Sequence, residues 1–172
     1  MDKTVAGIKA ALLLLVCLAV PAAARAMPQR AAVFPIELDD TSLQGAGAAE
    51  SPQDLARLHR LDEQLRAALV ASGRYAPVDL QALGPQIAAQ SLRVCDACAV
   101  ALAQKAGAQV AVNGWVQKVS ELILNINLVL RDAATSRMLR AGSVDIRGNT
   151  DESWRRGLAY LLDNRILNDA AP

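Results

Sequence analysis

Val110-Ala-Val-Asn-Gly-Trp-Val-Gln117, Leu122-Ile-Leu-Asn-Ile-Asn-Leu-Val-Leu130 and Met138-Leu-Arg-Ala-Gly-Ser-Val-Asp-Ile146 decide the fold. In the first, Val110, Val112, Gly114 and Val116 alternate with Ala111, Asn113, Trp115 and Gln117. In the second, Leu122, Leu124, Ile126, Leu128 and Leu130 alternate with Ile123, Asn125, Asn127 and Val129. A period of two is the signature of strands with one buried face. Three such runs with short links, one of them through residues 133–136, predict an antiparallel meander. One face is continuously apolar. The face carrying Asn113, Gln117, Asn125 and Asn127 is mixed and expected to be partly wet.

Working outward, Gly148-Asn149-Thr150 predicts a turn into a last helix. Thr150 caps it, Asp151 and Glu152 sit in its first turn, and Trp154, Leu158, Leu161, Leu162 and Ile166 form its apolar side. Upstream, Cys95 or Asp96 opens a helix that runs to Lys105 and closes at Gly107. Residues 80–92 read as a broken helical region punctuated by Gly84-Pro85, and residues 75–80 as a short strand. Ser51-Pro52-Gln53-Asp54 starts a long amphipathic helix with Leu55, Leu58, Asp62, Leu65 and Leu69 near one stripe, Leu61 beside it, and Gly73 at its end. Residues 31–38 read as a first strand. Pro35 would interrupt one side of its ladder, which predicts an edge position or a strand end. Residues 39–51 form a long polar loop. The expected architecture is a single α/β (α+β) domain over residues 27–172: one mixed sheet with a late antiparallel meander and helices packed on it.

Residues 1–26 read as a secretory signal peptide: Lys3 and Lys9 lead, residues 8–20 are apolar, and Ala24-Arg25-Ala26 supplies the cleavage site. The apolar run is shorter than the roughly 20 residues that span a bilayer. Cys17 lies inside it, without the small residue before it that lipidation needs. The expected product carries 15 basic and 16 acidic residues, no membrane span and two cysteines. That charge balance gives no support to nucleic-acid binding. With hydrophobic residues at 53% the chain is too apolar for disorder, and with aromatics at 3% its core must be aliphatic.

Cys95 and Cys98 stand in CxxC spacing. A structural disulfide, a thiol-redox pair and metal ligation are the alternatives. A helix N-terminus favours a thiolate at Cys95. Metal ligation lacks two further ligands, because His59 is the only histidine and sits at a helix margin. Trp115, Asn113, Gln117, Lys118, Asp145, Arg147 and Trp154 are the binding candidates. Trp115 shares a face with Asn113 and Gln117, Asp145 pairs with Arg147 or Arg131, and Lys118 with Glu121 reads as a solvated pair. No glycosidase carboxylate pair, nucleophile elbow or phosphate loop occurs, so no catalytic residue, metal or cofactor is assigned.

Cys95-Asp-Ala-Cys98, Gly114-Trp-Val-Gln-Lys-Val-Ser120 and Asp145-Ile-Arg-Gly-Asn-Thr-Asp-Glu-Ser-Trp154 together resemble an uncharacterised family of exported proteobacterial proteins, carrying a domain of unknown function. Its members are often encoded near quinoprotein alcohol oxidation genes. Ala32-Val33-Phe34-Pro35 followed by a helix also resembles the amino-terminal domain of TolB and related domains of curli-secretion-type lipoproteins. The resemblance implies support of a quinoprotein alcohol oxidation system and, together with the signal peptide, a periplasmic setting. The absence of an assembled catalytic constellation and the polar periodicity of one sheet face predict a non-enzymatic accessory protein that docks on a protein partner. A thiol-redox protein and a small-ligand or metal-binding module are the competing readings.

Overall fold

The computed structural model describes residues 27–43, 45 and 50–168. The expected signal peptide with Cys17, and residues 44 and 46–49 of the polar loop, lie outside them. The elements are β1 (Gln29–Val33), β2 (Glu37–Asp40), α1 (Pro52–Ala71), β3 (Tyr75–Pro77), a 3-10 turn (Gln81–Leu83), α2 (Gly84–Ala88), α3 (Asp96–Lys105), β4 (Val110–Lys118), β5 (Ile123–Asp132), β6 (Met138–Arg147) and α4 (Asp151–Leu161). The last helix continues as a π turn over Leu162–Ile166.

The strands form one mixed sheet in the order β3-β1-β4-β5-β6, with β2 also on β4. β1 runs parallel to β3 and β4, and β2 parallel to β4. β4–β5 and β5–β6 are antiparallel, as the alternating runs predict. The single strand expected over residues 31–38 is split in two, and Pro35 stands just past the end of β1, the strand-end position that is one of its two expected places. β1 lies inside the sheet between β3 and β4, and Phe34-Pro35-Ile36 divides it from β2. Ala31–Val33 pair with Val110–Val112, and pairing resumes at Glu37 opposite Trp115. The break removes the ladder position that Pro35, lacking an N–H, cannot fill.

Two apolar clusters flank the sheet. α1 and α4 cover one face: Leu58, Leu61, Leu65 and Leu69 of α1, with Trp154, Leu158 and Leu161 of α4, meet Val112, Val116, Leu124, Ile126, Leu128 and Leu130. On the other face α3 places Ala99, Leu102 and Ala103 on Ala32, Phe34 and Ala111. Ser51 Oγ accepts the Asp54 N–H at 3.0 Å, and Thr150 with Ser153 forms a capping box on α4. Leu55, placed on the α1 stripe by its spacing, is 47% exposed, and Leu61 takes the core position instead. Asp62 lies at the stripe margin, where its carboxylate accepts the Ile36 N–H at 2.8 Å.

Gly114 is the one place where β4 tolerates no side chain. A Cβ there would stand 2.6 Å from Leu128 Cδ2 and 2.8 Å from the Asn127 carbonyl oxygen. Gly114→Ala is expected to lower unfolding free energy by about 1–3 kcal/mol through overpacking. Denaturant titration checks this, and an unchanged midpoint contradicts it.

Candidate functional site

Cys95 and Cys98 are joined as a disulfide, with their Cα atoms 5.2 Å apart. Cys95 is the N-cap of α3, and its Sγ accepts the Cys98 N–H at 3.3 Å. Both residues are half-buried, and Cys98 packs against the Ala32–Phe34 cluster. The Asp96 carboxylate beside them pairs with the Arg131 guanidinium, so Arg131 does not serve Asp145. Segment 91–93, just before the pair, is held by Glu37, whose carboxylate accepts the Ser91 hydroxyl and the Leu92 and Arg93 N–H groups. His59 is exposed, with Glu63 at 3.6 Å as its neighbour. Among the described residues no group of three or more His, Cys, Asp and Glu side chains is placed to hold a metal ion.

The sheet register brings several binding candidates onto one face. Trp115 stands opposite Asn127, and Asn127 opposite Ser143. Gln117 stands opposite Asn125, and Asn125 opposite Asp145. Asp145 takes a hydrogen bond from Asn125 Nδ2 at 2.7 Å, in place of the expected arginine pairing. The Ser143 hydroxyl donates to Asn125 Oδ1 at 2.9 Å. Arg147 is exposed at the end of the same face, opposite Ile123. Asn113 belongs to the same alternation but is buried where segment 91–93 crosses the sheet, its Nδ2 donating to the Leu92 carbonyl at 3.3 Å.

Trp154 and Lys118 are placed differently. Trp154 is 1% exposed inside the α1–α4 core, with its indole N–H on Asn149 Oδ1 at 2.8 Å. It is a packing residue, as its position on the apolar side of α4 allows. Lys118 is 7% exposed and is not half of a solvated pair. Its Nζ lies 3.0 Å from Asp54 Oδ2, 3.6 Å from Asp40 Oδ2, and within hydrogen-bond distance of Glu121. Asp54, itself buried, also receives Arg57 at 2.8 Å and Asn149 Nδ2 at 3.0 Å. Burial works to raise the Asp54 carboxyl. Hydrogen bonds from Asn149 and Lys118, with the Lys118 charge, outweigh it and hold its pKa below the ordinary aspartate value. Burial works to lower Lys118, and its bonds to Glu121 and Asp54 outweigh that and hold it above the ordinary lysine value. Of this network the local spacing revealed only the Lys118–Glu121 pair, because its other members lie far away in the chain, on β2, α1 and the turn before α4.

The chain belongs to the family described as "Protein of unknown function (DUF2380)", which matches residues 29–166. No curated protein matches its sequence. Its mixed α/β fold resembles three solved chains. The LpoB C-terminal domain from Salmonella enterica is 16% identical over 70% of this chain and 84% of that one, with a TM-score of 0.50. A PelC dodecamer from Paraburkholderia phytofirmans is 14% identical over 80% and 86%, with a TM-score of 0.50. Lipoprotein GNA1162 from Neisseria meningitidis is 16% identical over 84% and 100%, with a TM-score of 0.50. At these identities the likeness is one of fold. Among the described residues no helix is long and apolar enough to cross a membrane.

The Lys118 network makes a signed prediction. Lys118→Met removes the ammonium from the buried Asp54 carboxylate, which keeps Arg57 and Asn149, and is expected to cost about 2 kcal/mol near neutral pH. A depressed carboxylate pKa stabilises the fold above its unfolded value, and that stabilisation is lost as pH falls through the folded value. The gap between wild type and K118M therefore narrows in acid as Asp54 protonates. Urea unfolding at neutral and acid pH checks this, and a gap independent of pH contradicts it.

Proposed function

We propose that this member of the DUF2380 family is an extracytoplasmic accessory protein that works by thiol–disulfide exchange at Cys95 and Cys98. The position of the pair on α3 carries the reading. Cys95 caps the helix, so a thiolate there keeps the Cys98 N–H bond and sits at the positive end of the helix dipole. As a staple the bridge does little. It closes a loop of four residues within a single turn and ties no two elements together. Such a loop restricts the unfolded chain by about 2 kcal/mol, against about 3 kcal/mol for a loop of some 15 residues. Arg131 offsets the Asp96 charge that would otherwise oppose a neighbouring thiolate.

The exchange partner is an exported protein disulfide or dithiol. In the reduced form the Cys95 thiolate attacks one sulfur of the partner's disulfide. A mixed disulfide forms, and the partner's other sulfur leaves as a thiolate. Cys98, which packs against the core, loses its proton to solvent and attacks the Cys95 sulfur. The Cys95–Cys98 bond closes and the partner's second thiolate leaves. Two electrons pass to the partner, and the reverse sequence oxidises a partner dithiol. The expected leader at residues 1–26 and the family resemblance support a periplasmic setting, with a quinoprotein alcohol oxidation system as the process served. The resemblance to the TolB amino-terminal domain belongs to this proposal as the finer reading of the fold.

A second reading, a docking protein without thiol chemistry, is favoured by a groove of about 750 Å³ between α1 and α4. Arg57, Arg60, Gln64, Trp154 and Arg155 are among its lining residues. The two readings separate in one experiment. Cys98→Ser, expressed with its leader, is expected to trap a partner as a mixed disulfide through Cys95, while Cys95→Ser traps none. The wild-type pair is expected to equilibrate between about −120 and −270 mV. A potential below about −300 mV, with no adduct on Cys98→Ser, contradicts exchange and leaves docking.

A further inference from the structure

The sheet has an open polar surface on the side away from α1 and α4. The α3 cluster covers Ala32, Phe34 and Ala111 there, and Asn113 lies under Leu92. From Trp115 onward the strands are uncovered: Trp115, Gln117, Asn125 and Asn127 are partly exposed, and Ser143 and Asp145 exposed. Trp115, Asn127 and Ser143 form one cross-strand row, and Gln117, Asn125 and Asp145 the next. With strands about 4.8 Å apart and the rows about 7 Å apart along the strands, the patch is flat and roughly 10 by 7 Å between backbone positions. Side chains widen it to the footprint of one or two sugar rings.

The hydrogen bonding on this patch is uneven. Asn125 is fixed between Asp145 and Ser143. Trp115 Nε1 and the carboxamides of Gln117 and Asn127 have no hydrogen-bond partner among the described residues, although the two amides flank the indole position in the register. Each carboxamide both donates and accepts. On the β2 side the same rows continue to Glu37, whose carboxylate is taken up by segment 91–93, and to Asp39, which pairs with Arg93. Asp145 adds an acceptor and Arg147, on the same strand face, a positive charge, so the rows carry no positive excess for an anion.

We propose that this face binds a neutral oligosaccharide. A pyranose ring presents an apolar C–H face, which matches the indole of Trp115, and a rim of hydroxyls that donate and accept, which matches Gln117, Asn127 and Asp145. An anionic ligand would meet Asp145 on the patch. A peptide strand pairs through its backbone with an open sheet edge, and this face presents side chains rather than free strand N–H and C=O groups. This inference does not rest on the thiol chemistry: the hydrogen bonds of the patch run among Asn125, Ser143 and Asp145, and those of the cysteine pair within the start of α3.

The test uses the mature oxidised protein and heteronuclear NMR, titrating cellotetraose, maltotetraose and N-acetylchitotetraose to millimolar concentration. At least one is expected to move the Trp115 indole N–H signal while that of the buried Trp154 stays fixed. The double substitution Gln117→Ala with Asn127→Ala, both on the surface, is expected to weaken binding by at least about tenfold without lowering the unfolding midpoint. No movement of the Trp115 signal with any of the three overturns the proposal. So does binding that survives the double substitution, or preference for an anionic alginate oligosaccharide over all three.

Discussion

Everything in this fold is arranged around β4. It alone is bonded on one side to strands from the start of the chain and on the other to the late meander. Parallel strands β1 and β2 must reach it across a long sequence separation, while β5 follows directly through a tight link. Its side chains also face two ways. Val110, Val112 and Val116 enter the core under α1 and α4, and Ala111 enters the core under α3. A slip of one residue would exchange these sets and turn Asn113 and Gln117 into the main core. The register is therefore fixed by burial on both faces of its first half and on one face of its second.

That change from two covered faces to one, between Asn113 and Trp115, organises the chemistry. Before it, α3 and segment 91–93 press on the sheet, and the helix N-terminus holding Cys95 and Cys98 is built on that layer. After it, a tryptophan and a set of carboxamides stand uncovered. At the far end of β4, Lys118 gathers Asp40, Asp54 and Glu121, tying β2, the start of α1 and the β4–β5 turn to one ammonium. One strand thus passes through a covered layer, an open polar face and a buried ion cluster.

The late meander was legible because its alternation is strict and its links are short. The caps at Ser51 and Thr150 and the closing glycines Gly73 and Gly107, both at positive φ, were legible because each is a local signal. The shared face of Trp115, Gln117 and Asn125 followed from alternation as well. What depends on distant chain did not show. Pro35 pointed to an edge or a strand end, and β1 does end just before it, but nothing nearby in sequence reveals that pairing resumes two residues later. Lys118 resembled a surface lysine because Asp54 is 64 residues away. Trp154 carried two readings, apolar stripe and binding residue; the structure buries it among the α1 leucines with its indole N–H on Asn149.

On the proposed thiol–disulfide reading, the Cys95–Cys98 bond is exchangeable chemistry mounted on a sheet that stands without it. Native-state amide hydrogen exchange of the oxidised and reduced protein tests that claim most directly. Loss of protection confined to residues 91–98, with β4 and β5 amides equally slow in both states, is the predicted result. A reduced protein whose β4 and β5 amides exchange at the rate of the unfolded chain would contradict it, because the bond would then be holding the fold.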